Sequence, residues 1–366
     1  MMTTAILVTA ALASIMTLTS PPSSATPPAP ADARWLTYPG DPNQEPGQGR
    51  RIVFVAGDEE YRSEEALPML ARLMNQHGFE CIVLFSQDDE SGEVDPETLD
   101  HIPGLHLIDD ADVLVLFLRF RELPDEDMAH IVKHVQAGKP VTGFRTATHA
   151  FFYRENPESP HARWTWNAED PPGGFGGEIM GETWVSHHGH HGSQATRGVI
   201  ESDNASHPVL RGVDDVFGPT DVYGIRSLPD DSTILLRGAV LKGMSPGDKP
   251  VEGKQNDPMI PLAWVRERTM PDGSTQRIFA TTMGTAEDWS SEDLRRIYAN
   301  ATLWQLEDEE MIPPGGLDAP LVGPWEPTPF GFGSHKRGYK PADYRDGSPW
   351  AKTSGENPNK PADTPE

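Results

Sequence analysis

The sequence has very little cysteine, and this limits the chemistry that it can carry. Its 366 residues include one cysteine, Cys81, which excludes an intramolecular disulfide and any metal or redox site built on a Cys-x-x-Cys pair. Cys81 lies in the middle of an apolar stretch, and such a cysteine is more often a small buried side chain than a reactive thiolate. We therefore expect no cysteine nucleophile.

Basic residues are also scarce. Lysine and arginine number 30 against 56 aspartates and glutamates, which gives a formal net charge of −26. Affinity for nucleic acid depends on clustered basic side chains, so we expect no nucleic-acid partner. Motifs typical of serine hydrolases, P-loop NTPases and dinucleotide-binding proteins are absent as well, which argues against those classes.

Long hydrophobic runs are missing. The early apolar stretch, residues 5–18, is shorter than the roughly 20 residues that a membrane-spanning helix needs. Small residues follow it, and they suit signal-peptidase cleavage after Ala25. We expect residues 1–25 to be a signal peptide and residues 26–50 to be a linker. The protein would then be exported, periplasmic or secreted, with no stable membrane insertion after cleavage.

Alternating strand and helix patterns mark the first half of the folded part. Apolar runs at residues 52–56, 80–85, 113–118 and 140–144 alternate with helical patterns at residues 64–77 and 124–137. Continuous apolar runs are typical of strands covered on both faces, and strand–helix–strand order favours right-handed crossovers. The sequence therefore predicts a doubly wound α/β fold with a mostly parallel sheet over residues 51–306.

The remainder of the chain is less regular. Short strands are predicted at residues 184–185, 198–200, 233–236, 262–265 and 277–281, and a helix begins near Ser291. Residues 307–366, the tail, are rich in proline and glycine and lack a periodic apolar face. Apart from residues 330–332, where the tail could wrap the surface, we expect most of it not to pack, because it cannot bury enough apolar area to offset the entropy of ordering.

Polar side chains follow three of the predicted strands. Ligands bind beyond the carboxyl ends of the strands in open α/β sheets. Acids and a tyrosine follow the first strand, arginines follow the third, and Arg145 and His149 follow the fourth. We expect the substrate-binding residues to be Glu59, Tyr61, Arg62, Arg119, Arg145, His187 and Tyr223.

Four histidines lie within residues 187–191. Neutral imidazoles could ligate a metal or supply acid and base groups near neutral pH, and a purely structural role is the third interpretation. A carboxylate at Asp221, on an extended segment, would orient a histidine. We hypothesise that His149, His188 and Asp221 are catalytic. As an alternative, His190 and His191 would hold a divalent metal; no other cofactor is expected.

Five motifs occur in an order that resembles a known family. They are residues 56–65, 143–151, 187–191, 206–212 and 295–304. Together they resemble the ThuA-like (trehalose-utilisation) family of the class I glutamine amidotransferase-like superfamily. The resemblance implies a flavodoxin-like sheet with a site at its carboxyl edge, and a link to disaccharide use that includes 3-keto-glycosides. Amidotransferases carry a cysteine at the turn after the central strand. Arg145 begins that turn here, so thiolate-based glutamine hydrolysis is not expected.

Three functions follow as hypotheses. The first is an exported protein of carbohydrate metabolism that acts on a disaccharide or ketoglycoside by histidine acid/base chemistry, through isomerisation, elimination or hydrolysis. The second is a metal-dependent hydrolase that uses residues 187–191. The third is a non-catalytic sugar-binding protein whose tail docks a partner. In each case the ligand is a small carbohydrate or a related polar metabolite.

Overall fold

The computed structural model describes residues 33–351. The signal peptide predicted for residues 1–25 lies outside the described residues, and the predicted domain boundaries stay predictions. Within the described residues, no helix is both long enough and apolar enough to cross a membrane.

Strands and two α-helices alternate along the first half of the described chain, and strands dominate the second half, in which a third α-helix follows the last strand. The strands are β1 (Leu36–Tyr38), β2 (Arg51–Gly57), β3 (Glu80–Phe85), β4 (Val113–Leu118), β5 (Val141–Phe144), β6 (His187–His188), β7 (Thr196–Ile200), β8 (Val216–Gly218), β9 (Val222–Tyr223), β10 (Ser232–Val240), β11 (Ile260–Thr269) and β12 (Thr275–Thr281). The helices are α1 (Ser63–Gln76), α2 (Asp125–Gln136) and α3 (Glu292–Gln305).

Ten of these strands form one mixed sheet, in the order β1-β3-β2-β4-β5-β12-β11-β10-β7-β8. The four neighbouring pairs from β3 to β12 are parallel. The other five pairs are antiparallel. The prediction of a mostly parallel sheet is therefore not confirmed, because an antiparallel extension of β11, β10, β7 and β8 continues the parallel core.

Helices cover both faces of the parallel core. Successive side chains of a strand point to opposite faces, and β2 shows this directly. Phe54 packs in one apolar cluster with Leu70 of α1 and Ile297 of α3. Its neighbour Val53 packs in a second cluster with Ile131 of α2. The strands and helices predicted for the first half are confirmed to within about two residues.

The second half departs from the prediction at residues 184–185, and β8 was not predicted. Trp184 lies in an irregular segment, and the strand forms at His187–His188 instead, where β6 pairs with β9. His187 lies opposite Tyr223 in this pair. The other four predicted strands are confirmed as parts of β7, β10, β11 and β12, and Ser291 caps α3 by accepting a hydrogen bond from the Leu294 amide.

The prediction that most of the tail would not pack is wrong for residues 307–351. Ile312, Leu317 and Tyr344 are buried in the main apolar cluster. Arginines on the helices also satisfy tail carbonyls: Arg72 of α1 donates to the Val322 carbonyl at 2.8 Å. Composition did not reveal this packing because backbone carbonyls, which carry no sequence signal, supply many of the contacts.

Candidate active site

The carboxyl ends of β2, β4 and β5 meet at one edge of the sheet, where the backbone is strained. Among the described residues, four other than glycine have positive φ. Three of these follow the ends of those strands: Arg62 at 62°, Phe120 at 51° and Arg145 at 42°. Such conformations cost about 1–3 kcal/mol each and cluster at functional sites. This edge of the sheet is therefore a candidate functional site.

One buried carboxylate holds two imidazoles at this edge. Asp221 is fully buried, and its Oδ2 lies 2.6 Å from His187 Nδ1. Its other oxygen, Oδ1, lies 2.8 Å from His191 Nδ1. The two imidazole rings lie 4.6 Å apart between centroids, and each histidine side chain keeps about a third of its surface exposed: 34% for His187 and 36% for His191.

The charge of Asp221 fixes where the imidazole protons lie. Burial alone would raise the pKa of Asp221, but the hydrogen bond from His187 and the charge of Arg145 outweigh it, and the pKa is lowered overall. Asp221 is therefore ionised and can only accept hydrogen bonds. Each neutral imidazole must then carry its proton on Nδ1 and its lone pair on Nε2. The Nε2 of His187 is available as a base, whereas that of His191 faces Glu60.

Arg145 lies beneath this pair and is completely buried. It donates to the Asp221 carbonyl at 2.8 Å, and its Nη2 lies 3.4 Å from Asp221 Oδ1. Its guanidinium carbon lies 3.9 Å from the ring centroid of Tyr61 and 4.9 Å from that of Tyr223. Burial would lower the pKa of Arg145, yet the surrounding tyrosines and acids raise it well above its ordinary value. Arg145 thus positions Asp221 and has no free face for a ligand.

A chain of charged groups continues from His191 along the edge. Glu60 Oε1 lies 3.4 Å from His191 Nε2, and Glu60 Oε2 lies 3.8 Å from Arg119 Nε. Arg119 also pairs with Glu59, whose second oxygen lies 2.7 Å from Arg121 Nη2. Burial, and then the charge of Asp58, raise the pKa of Glu60. Glu60 therefore joins the imidazole pair to the arginines after β4.

His149 is close to this site but is closed off from solvent. Its ring lies 5.6 Å from both Trp184 and Tyr223, and these rings also contact His187. The side chain is 3% exposed, and burial, followed by the charges of Arg119 and Arg145, lowers its pKa well below the ordinary value. In this conformation His149 is a neutral buried side chain behind the site.

Three other residues named from the sequence are not brought into the site. His188 Nε2 contacts the Gln255 carbonyl at 2.8 Å instead of Asp221. His190 is exposed, and its backbone amide bonds Gln194. Arg62 is completely buried, and its guanidinium donates to backbone and hydroxyl groups of the tail. The expected roles of His188 and Arg62 therefore have no geometric support.

Glu60, Trp184 and Phe330 belong to the site but were not named from the sequence. Glu60 lies between Glu59 and Tyr61, so its position after a predicted strand was an available signal. Trp184 lies next to the histidine segment. Phe330 contacts His191 at 4.9 Å between ring centroids, and nothing in the local sequence predicts a contact across 139 residues (330 − 191).

The donor set of this site fits a divalent metal ion. One ligand atom from each of His187, His191 and Asp221 lies within 4.8 Å of the others. Two imidazoles and one carboxylate are ligands that zinc and iron accept, with further positions open to water or substrate. Arg145, a buried cation beside Asp221, would repel a metal ion bound there. The hydrogen bonds from His187 and His191 to Asp221 would also have to break for the same atoms to bind a metal.

Comparison with known proteins assigns the family. The family model ThuA, described as trehalose utilisation, matches residues 50–305. A ThuA-like protein from Bacteroides uniformis is 14% identical over 72% of this chain and 93% of that chain, with a TM-score of 0.45. A ThuA-like protein from Parabacteroides merdae is 15% identical over 69% and 89%, with a TM-score of 0.43. No curated protein matches the sequence. Because the ThuA model spans well over half of the sequence, the chain belongs to the ThuA family.

Proposed function

We propose that this protein acts on a small carbohydrate by acid/base chemistry at His187 and His191. The observation that carries the proposal is the pair of hydrogen bonds, 2.6 Å and 2.8 Å long, from the two imidazoles to one buried carboxylate. The family description, trehalose utilisation, supports a carbohydrate ligand. We infer that the substrate is a disaccharide of the trehalose type or a ketoglycoside derived from one.

The position of the site in the fold supports this proposal. Numbered along the chain, the five parallel strands β2, β3, β4, β5 and β12 lie in the order 2-1-3-4-5. This is the flavodoxin-like order, in which ligands bind beyond the carboxyl ends of the strands where the order reverses. Here the reversal lies between β2 and β4, which are followed by Glu60 and Arg119. We infer a flavodoxin-like core on this basis.

His187 is better placed than His191 to act as the base. Its Nε2 makes no hydrogen bond to another described residue, whereas His191 Nε2 faces Glu60. With a ketosugar, His187 Nε2 would take a proton from the carbon beside the carbonyl. In an isomerisation, the resulting imidazolium would return that proton to the former carbonyl carbon while the adjacent hydroxyl proton moves to the former carbonyl oxygen. In an elimination, it would give the proton to the leaving oxygen. With a glycoside, the imidazole would instead activate water for hydrolysis.

Turnover by matched variants tests the proposal. The purified protein is incubated with trehalose and with 3-keto-trehalose, and products are followed by NMR and mass spectrometry. We expect His187→Gln and Asp221→Asn to reduce turnover by about 100-fold or more, because a positioned acid or base contributes about that much. His101→Gln, which changes a histidine outside the site, serves as the control and should leave turnover unchanged. Full activity in His187→Gln would contradict the proposal, and sugar binding without turnover would favour a non-catalytic binding protein.

A metal-dependent hydrolase is the second candidate, favoured by the convergence of His187, His191 and Asp221. If an ion binds there, these residues would hold it and the ion would polarise a substrate oxygen or activate water. Elemental analysis of untagged protein decides between the candidates. About one zinc or iron per chain that is lost in His191→Ala would support the metal site. Metal well below one equivalent per chain would exclude the metal-dependent hydrolase and favour the acid/base proposal.

A further inference from the structure

A segment of the tail lies against the site. This segment, residues 327–334, follows the family match, which ends at residue 305. The Phe330 ring lies 4.9 Å from the His191 ring and 5.9 Å from the Tyr61 ring, measured between centroids. The Phe332 ring lies 4.9 Å from the guanidinium carbon of Arg119. Two aromatic rings from outside the family match therefore border the site.

Buried charges fix this segment in place. The guanidinium of Arg62, which is completely buried, donates to the Gly331 carbonyl at 2.7 Å and to Ser334 Oγ at 2.5 Å. Glu65 accepts a hydrogen bond from the Thr328 amide at 2.8 Å. Removing the segment would take away the hydrogen bonds of Arg62 Nη2 and those that the Glu65 carboxyl accepts from Thr328, and leaving buried charged groups with fewer partners is costly. These contacts indicate that segment 327–334 is a permanent part of the site.

Phe332 is unusual because it is fixed yet exposed. It has 60% of its surface exposed, more than any other large hydrophobic residue in the part of the chain that the structure describes. A single exposed apolar side chain is ordinary on a protein surface, but Phe332 lies beside the polar groups of the site on a segment that buried charges hold in place. Its neighbours are charged: Arg119 lies within contact distance, and Glu59 and Glu60 both pair with Arg119.

We propose that Phe332, with Arg119, forms a subsite for a second pyranose unit, next to the unit held at His187 and His191. The apolar C–H face of a pyranose would stack on the Phe332 ring. Its hydroxyls would donate to the Glu59 and Glu60 carboxyl oxygens and accept from Arg119. This inference rests on the proposed function and names the residues that would hold the second sugar unit of its substrate.

The geometry supports two adjacent units. The two oxygens of one carboxyl group, Glu60, face His191 Nε2 at 3.4 Å and Arg119 Nε at 3.8 Å. The imidazole pair and the Phe332 subsite are thus separated by little more than one carboxyl group. Phe330 lies against His191 on the same segment, so one rigid stretch of chain borders both positions.

Selectivity for trehalose over glucose tests the subsite. Affinities for both sugars are measured by NMR titration with the full chain and with Phe332→Ala, Phe332→Tyr and Leu321→Ala. Leu321 is an exposed apolar residue of the tail outside segment 327–334 and serves as the control. We expect Phe332→Ala to weaken trehalose binding about tenfold, as loss of a stacking aromatic ring does, and to leave glucose binding unchanged. Phe332→Tyr should keep the selectivity.

The outcomes separate the subsite from the proposed function. If both sugars bind but Phe332→Ala leaves the trehalose-to-glucose ratio unchanged, the subsite is overturned while the proposed function stands. If neither trehalose nor glucose binds the wild-type protein, the subsite is overturned, and turnover of 3-keto-trehalose still decides the proposed function separately. Because Phe332 is exposed, its removal should not affect folding, which thermal unfolding of each variant verifies.

Discussion

Asp221 and Arg145 form a buried ion pair on which the whole site depends. Both side chains are completely buried, and their closest charged atoms lie 3.4 Å apart. The pair is not isolated, because Asp221 also holds two imidazoles and Arg145 also donates to the Thr282 carbonyl at 3.1 Å. A buried charge is tolerated when such partners satisfy it. Removing one member of the ion pair leaves the other as an uncompensated buried charge, which is strongly destabilising.

A double-mutant cycle measures this dependence. We expect Arg145→Met to lower the free energy of unfolding by about 3–5 kcal/mol, because it leaves the Asp221 carboxylate without a cation. Asp221→Asn should also destabilise, but the double variant should lose at least about 1 kcal/mol less than the sum of the two single changes, since the residues are in contact. Urea denaturation gives the three values, and additive losses would refute the coupling.

Which histidine reaches Asp221 could not be read from the sequence. Neighbouring residues of a strand point to opposite faces, so either His187 or His188 could face the carboxylate. The choice is set by the pairing of β6 with β9, where His187 lies opposite Tyr223, and a shift of one residue would exchange the two. The residue types were therefore predictable, whereas the register was not.

At the scale of elements, the parallel core was predictable and its antiparallel extension was not predicted. The continuous apolar runs of β2 and β4 are typical of strands covered on both faces. The extension did carry one signal, because residues 271–273, Pro-Asp-Gly, lie between β11 and β12, and such a tripeptide favours a tight turn between antiparallel strands. Arg62 was not predictable at this scale, since its partner Gly331 is 269 residues away.

Helix α2 carries a buried histidine that makes the fold sensitive to acid. Burial lowers the pKa of His134 from 6.5 to about 4, and its Nε2 contacts the Pro140 carbonyl at 2.9 Å. The unfolded chain therefore binds a proton near pH 6.5 that the folded chain takes up only near pH 4. The free energy of unfolding must fall as the pH decreases through this window.

Replacing this histidine isolates its contribution. His134→Gln keeps a donor for the Pro140 carbonyl but cannot titrate. Relative to the wild type, we expect the variant to gain up to about 3 kcal/mol as the pH falls from 7 towards 4, which corresponds to the pKa difference. Urea denaturation across this range provides the measurement, with His101→Gln as the control. Wild type and His134→Gln curves that stay parallel would disprove this assignment.

At the scale of the whole molecule, the chain consists of a family core and additions at both ends. The ThuA match covers residues 50–305, yet residues 307–351 pack on the core and bring Phe330 and Phe332 to the site. Composition alone suggested that this tail would not pack. The packing depends on buried arginines that satisfy tail carbonyls, and such long-range partners leave no periodic pattern in the sequence.

We propose that residues 1–25 direct export of this molecule. Expressed in full in a Gram-negative bacterium, the protein should be recovered from the periplasm with Thr26 as its first residue, as intact-mass measurement would show. Ala25→Lys should block cleavage, because signal peptidase requires a small residue there. Protein retained in the cytoplasm with residues 1–25 attached would contradict export.

The central claim is that Asp221 fixes the protons of two imidazoles, and nitrogen NMR of the histidine side chains tests it most directly. At slightly alkaline pH, where free imidazole is neutral, we expect His187 and His191 both to carry their proton on Nδ1. In Asp221→Asn this preference should be lost. Protons on Nε2 in the wild-type protein, or spectra that Asp221→Asn leaves unchanged, would contradict the claim.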